Sequence, residues 1–152
     1  MGKKRKRLYL VGVCSDYEYA EVVCAYSVKE AKQIAWDSSD FIQDVALDGN
    51  GWIDVSVSWI KGAYVSGLKI GCIIPNADSL RRDTFHWVED TECPICFNNN
   101  TLRVINSNDK ENVFKFVSCS NCEEKYLSKK LNKVDIPRDA ILYKYLKKCW
   151  WV

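Results

Sequence analysis

Four of the eight cysteines have the types and spacing for chemistry. Cys93 and Cys96 stand in Cys-Pro-Ile-Cys, Cys119 and Cys122 in Cys-Ser-Asn-Cys, and 22 residues separate the two pairs. Two C-x-x-C turns supply four thiolates, the set that Zn²⁺ takes in a closed tetrahedral site. Two independent redox or disulfide pairs are the competing use of the motif. The intervening sequence argues against that use. Residues 101–106 and 113–118 read as short strands and residues 107–112 as a polar turn, so the pairs bracket one hairpin. A lone hairpin is marginal in water. A structural zinc contributes on the order of 10 kcal/mol of apparent binding free energy, which becomes folding free energy. With four cysteines closing its shell, one zinc ion is expected, and its role is structural.

A strand–turn–strand between two cysteine knuckles resembles the zinc-ribbon class, over about residues 88–129. The resemblance implies a metal site on Cys93, Cys96, Cys119 and Cys122 and does not specify a function. Ribbon knuckles often place glycine just after the second cysteine, where the chain turns tightly. Phe97 and Glu123 stand there in this chain, so one or both knuckles are expected to be looser than usual.

Catalysis finds little support. His86 is the single histidine, and it reads as a strand side chain near the ribbon. No G-x-S-x-G, P-loop, GxGxxG or HExxH is present, so the common hydrolase and nucleotide readings have no anchor. The turn at Asp48-Gly49-Asn50-Gly51 has two oxygen ligands at calcium-loop spacing, but Trp52 falls where the next belongs. The expectation is a protein that is not an enzyme and takes no small-molecule substrate.

The net charge of +2 hides a division. Residues 1–10 carry five basic and no acidic residues, and residues 129–152 carry seven basic and two acidic. The 118 residues between them carry ten basic and eighteen acidic. A basic arm (Lys3, Lys4, Arg5, Lys6, Arg7) and tail (Lys144, Lys147, Lys148) on an acidic body suit phosphates or an acidic protein surface. The arm is expected to be mobile unless a partner holds it. In the ribbon, Arg103, Lys115 and Lys125 lie beside Phe114, Phe116 and Tyr126. That mixture serves either base stacking with phosphate contacts or a small aromatic core. Salt-dependent nucleic-acid binding is the leading expectation. The alternative is an adaptor or inhibitor that docks on a larger nucleic-acid-handling machine, because the six tryptophans and eight tyrosines are types favoured at interface hot spots.

The elements around these residues follow from pattern. At 152 residues with 47% hydrophobic and 28% charged content, the chain has globular composition for one domain or two small ones. No apolar run approaches the roughly 20 residues of a membrane span. The N-terminus reads neither as a signal peptide nor as a lipidation signal. Cysteines in a metal pattern point to a reducing compartment, and a cytoplasmic location is expected.

Residues 8–14 and 19–26 read as paired strands that place Cys24 opposite about residue 9, with Cys14 and Cys24 as small buried hydrophobes. Ser27-Val28-Lys29-Glu30 is a capping box opening a helix to about residue 37, with Val28, Ala31, Ile34 and Ala35 buried. A short strand is expected near residues 44–47. A half-buried strand is expected at residues 52–60, with Ile53, Val55, Val57 and Trp59 facing inward. A short strand at 70–74, a helical turn at 76–83 and a strand at 84–88 lead into the ribbon. An amphipathic helix follows Pro137, with Ile141, Leu142, Tyr145, Leu146, Cys149 and Trp150 on one side.

The fold class is α+β: a basic arm (1–7), a small antiparallel sheet with one packed helix (8–80), a Cys₄ zinc ribbon (81–130) and a basic C-terminal helix (131–152). The strand–strand–helix–strand order of the first part resembles small modules of phage and plasmid proteins of unassigned role. It implies no site residues.

Overall fold

In the computed structural model, residues 4–13, 16–84 and 87–148 are described. Expectations placed on Lys3, Cys14, His86, Cys149, Trp150 and Trp151 lie outside them. The chain divides between Pro75 and Asn76 into two units, and the fold class is α+β as expected, with small antiparallel sheets and helices.

In the first unit the apolar run becomes β1 (Arg7–Val13), which pairs with β2 (Asp16–Ala25) and β3 (Val55–Trp59). β4 (Cys72–Ile74) adds to the other edge of β2, giving the order β3-β1-β2-β4. As the central strand, β1 buries Leu8 on one face and Tyr9 and Val11 on the other, which explains why it reads as a continuous apolar run. An irregularity in the ladder between Val11 and Val13 shifts the register, so Cys24 sits opposite Leu8 rather than residue 9. Cys24 is buried, and its neighbour across β4 is Cys72.

α1 (Val28–Ser38) starts as its sequence dictates, with the Ser27 hydroxyl oxygen accepting from the Glu30 amide at 3.2 Å. Ala31 and Ala35 are buried against the sheet, Ile34 packs at the margin, and Val28 is exposed. The expected strand near residue 44 is instead α2 (Asp40–Leu47). Ser39 is responsible. Its amide closes α1 on the Ala35 carbonyl, and its hydroxyl oxygen accepts from the Ile42 amide at 3.2 Å, opening a second helix that buries Ile42 and Ala46. The strand expected from residue 52 also starts late. The Asp54 carboxylate accepts from the Asn50 amide at 2.7 Å and folds Gly51–Asp54 into a 3₁₀ turn. Ile53 is therefore 82% exposed, Val55 and Val57 face the core, and Trp59 is 47% exposed.

In the second unit, α3 (Asn76–Arg81) precedes β5 (Trp87–Glu92), β6 (Asn99–Asn106) and β7 (Lys115–Cys119), antiparallel in that order, and α4 (Ser120–Leu127) follows. β6 and β7 are the hairpin expected between the cysteine pairs. Phe114, Phe116 and Tyr126 are buried together with Ile105, Ile136 and Ile141, so these aromatics form core and are not a stacking surface.

The expected continuous C-terminal helix is replaced by three short 3₁₀ turns, Lys133–Asp135, Arg138–Ala140 and Tyr143–Lys148. Between the second and third the backbone is extended. Ile141 bridges to Phe116, and the Leu142 amide donates to the Lys115 carbonyl at 3.1 Å, so this stretch docks against β7. Both side chains are buried, which requires two adjacent residues to point inward to different parts of the core. Tyr143 fastens the segment to α3, its hydroxyl donating to Asp78 at 2.8 Å and accepting from Arg81 at 3.1 Å. Among the described residues, no helix is long and apolar enough to cross a membrane.

Candidate metal centre

The second unit brings four cysteines to one point from three elements. Cys93 directly follows β5, Cys96 lies in the turn to β6, Cys119 ends β7, and Cys122 sits in the first turn of α4. All four Sγ atoms lie within 4.8 Å of one another. Cys96 and Cys119 are 3.7 Å apart, Cys93 and Cys122 4.0 Å. A disulfide holds its sulfurs at about 2.05 Å. Four sulfurs placed tetrahedrally at about 2.3 Å from a metal lie about 3.8 Å from each other. The spacing is that of a metal site, and the cluster can hold a metal ion.

The first knuckle is built by the backbone. The Cys93 amide donates to the Asn98 carbonyl at 2.9 Å and the Phe97 amide to the Cys93 carbonyl at 2.8 Å. To close this turn Phe97 adopts φ 65°, the left-handed region in which glycine is ordinarily found. The knuckle is thus tight rather than loose, with the side chain tolerated because it projects to solvent at 70% exposure. The second knuckle passes into α4, where Glu123 is helical, and no left-handed residue is needed.

The electrostatics favour a cation. Burial pushes the Cys93 thiol up, against the pull of the Cys96 and Ile95 amides. Burial also raises Cys122, and its contact with Cys119 adds to the rise. At Cys96 burial is outweighed by the Asn98 amide and the neighbouring thiols, and this group is held below the ordinary thiol range. Four thiols this close do not all ionise unaided. A divalent cation offsets the mutual repulsion and displaces the protons. Four protein sulfurs fill a tetrahedral shell, which leaves no position for water or substrate. Leu80, Val88, Leu102, Val117 and Leu142 pack with Cys93, Cys119 and Cys122 in one buried cluster, and Cys96 lies half-buried at its margin.

The candidate nucleic-acid residues divide by environment. Arg103 pairs with Glu123 at 3.1 Å, and Lys115 and Lys144 share Asp83 at 3.6 and 2.9 Å. Burial acts to raise Asp83, but the hydrogen bond and charge of Lys144, helped by Lys115, hold its carboxyl below the usual range. Lys147 and Lys148 close the last 3₁₀ turn.

The arm behaves differently. Far from being unheld, Arg7 opens β1 and the Lys6 ammonium donates to the Leu68 carbonyl at 2.9 Å. Lys4 lies 5.7 Å from the Tyr26 ring centroid, and the Arg7 guanidinium lies 4.5 Å from that of Trp59. Among the described residues, none of Lys4, Arg5, Lys6 and Arg7 forms an ion pair. Sequence reasoning missed Trp59 and Lys61 as their neighbours. The available signal was composition, because residues 55–75 contain no aspartate or glutamate.

Compared with protein-family models, curated proteins and solved structures, the chain has no significant match.

Proposed function

We propose that this is a non-enzymatic zinc-ribbon protein of the cytoplasm whose zinc is structural and whose basic N-terminal arm binds nucleic acid. The metal reading rests on the four converging sulfurs. Tetrahedral sulfur coordination suits zinc or iron, and a closed structural shell suits zinc. The nucleic-acid reading rests on one contrast. Arg103, Lys115 and Lys144 are matched to carboxylates, and among the described residues Lys4, Arg5, Lys6 and Arg7 are not. Cations held in place without carboxylate partners are available to phosphate oxygens.

Elemental analysis of the purified protein tests the metal; one zinc per chain is expected, and visible absorption from iron would reject it. Binding of labelled DNA and RNA at low and moderate salt, with the full chain and with Lys4, Arg5 and Lys6 changed to glutamine, tests the second part. Loss of affinity with salt and with the substitutions is expected. Absence of binding at low salt would reject nucleic acid in favour of a docking role on a protein partner.

A further inference from the structure

The antiparallel order of the first sheet gathers particular chain segments at one end. The start of β1, the ends of β2 and β3, and the loop leading to β4 all meet there. These segments carry Lys4, Arg5, Lys6, Arg7, Lys61 and Lys69, and the whole stretch of residues 55–75 lacks a carboxylate. Basic side chains therefore outnumber acidic ones at this end, where α1 contributes Glu30 just after β2, whereas Asp54 lies at the opposite end, next to the start of β3.

Trp59 stands at the end of the edge strand β3, beside the start of β1. Val55 and Val57 point into the core, but Trp59, next on the same face, is 47% exposed and outside the core cluster. The Arg7 guanidinium is 4.5 Å from its ring centroid and the Lys61 ammonium 5.4 Å. Beside the ring lies a solvent-open groove of about 200 Å³, with Arg5, Arg7, Leu8, Ile60 and Val65 among its walls. That is smaller than the roughly 300–1,000 Å³ of pockets that enclose small ligands. It suits one flat group laid against the indole and left partly in water. At the same sheet end Tyr26, 36% exposed, has Lys4 over its ring.

An exposed indole set among cations without carboxylate partners has the chemistry of a base-stacking platform, with phosphates held alongside. We infer that Trp59 stacks an unpaired base of a single-stranded nucleic acid, with Arg5, Arg7 and Lys61 holding the flanking phosphates. This rests on the nucleic-acid reading above and narrows it. A duplex keeps its base faces covered and offers only edges and phosphates, so it engages the cations and not the ring. An arriving base takes the place of the Lys61 ammonium over the indole, and the ammonium then turns its donors to a phosphate.

The experiment compares the zinc-loaded full chain with Trp59→Ala, Trp59→Phe and the pair Lys4→Gln/Arg5→Gln. Each is titrated with labelled oligo-dT, oligo-U and a mixed-sequence DNA duplex. Trp59→Ala is expected to weaken single-strand binding roughly 5- to 150-fold, leave duplex binding unchanged and be largely rescued by Trp59→Phe. Lys4→Gln/Arg5→Gln weakens single strand and duplex alike. Crosslinking of a bromouracil-substituted strand is expected to map to Trp59, a readout independent of whether the alanine variant folds. If Trp59→Ala binds single strands as well as the parent while Lys4→Gln/Arg5→Gln does not, the stacking inference falls and the phosphate-binding reading stands. Equal losses on single strand and duplex with Trp59→Ala, or crosslinks mapping elsewhere, also overturn it. No binding by the parent chain overturns both.

Discussion

The amide of Phe97 donates to the carbonyl of Cys93 at 2.8 Å while Phe97 itself holds φ 65°. A bulky residue therefore closes the first metal knuckle in a conformation that costs a side-chain-bearing residue about 1–2 kcal/mol. Its ring is mostly in solvent, so little burial offsets this. Phe97→Gly is expected to stabilise the metal-loaded second unit by about 0.5–1 kcal/mol, less than the full cost because glycine gains freedom in the unfolded chain. Urea unfolding of the loaded protein measures it. A destabilised variant would show that the exposed ring has a packing role.

Metal removal should act on one unit and spare the other. Cys93, Cys119 and Cys122 belong to a core of the second unit that includes Leu80, Leu102, Val117 and Leu142, with Cys96 packed against it, whereas the core cluster of the first unit contains none of the four thiols. Chelation or Cys119→Ser is expected to abolish hydrogen-exchange protection in β5–β7 and leave that of β1 and β2 intact.

Proton competition sets the pH range of the metal site. Burial raises Cys93 and Cys122, so at neutral pH the metal must displace their protons on binding. Affinity is expected to fall as pH falls, because each released proton opposes binding more strongly in acid. Metal transfer to a chromogenic chelator, followed from pH 8 down to about pH 5, is expected to become progressively easier.

Glu21 on β2 gives the first unit an opposite dependence. Burial raises its carboxyl above the ordinary value near 4.5, with the Ser39 hydroxyl, 3.4 Å away, acting to lower it. A raised carboxylate pKa means that the folded state holds the proton more tightly, so this group's contribution is most favourable in acid. It declines as pH rises from about 4.5 through the folded value, and is then constant. Glu21→Gln is expected to stabilise the first unit at pH 7 and to make no difference below the ordinary value. Hydrogen exchange of the β2 amides at both pH values checks the sign without depending on the metal in the other unit.

The salt dependence of single-strand binding counts the phosphates engaged. At about −0.7 per phosphate, three or four contacts give a log–log slope of roughly −2 to −3. Lys4→Gln/Arg5→Gln should reduce the steepness by about 1.4, whereas Trp59→Ala should leave the slope alone and lower only the intercept.

The parts of the molecule visible from sequence were those fixed by local chemistry. Cys93, Cys96, Cys119 and Cys122 needed only their spacing, and the apolar run at β1 needed only a central strand to occupy. Ser27 declared the first helix. The misreadings arose where a single polar side chain redirected the backbone. Ser39 ends one helix and starts another within one residue. Asp54 pulls a clean alternating pattern into a turn by accepting from the backbone and side-chain amides of Asn50. At the C-terminus, helical spacing was present, but the β7 edge offered Leu142 a backbone partner that no local pattern encodes. Trp59 was assigned to the buried face by alternation, yet it is 47% exposed and stays outside the core cluster that Val55 and Val57 join.

Leu142 contributes to the thiol-lined core, and the residue before it bridges to β7. The C-terminal segment is thereby clamped by the same packing that the metal organises. Loss of a metal bound there is expected to loosen this lysine-rich segment and expose it to proteases, which limited proteolysis with and without chelator would read.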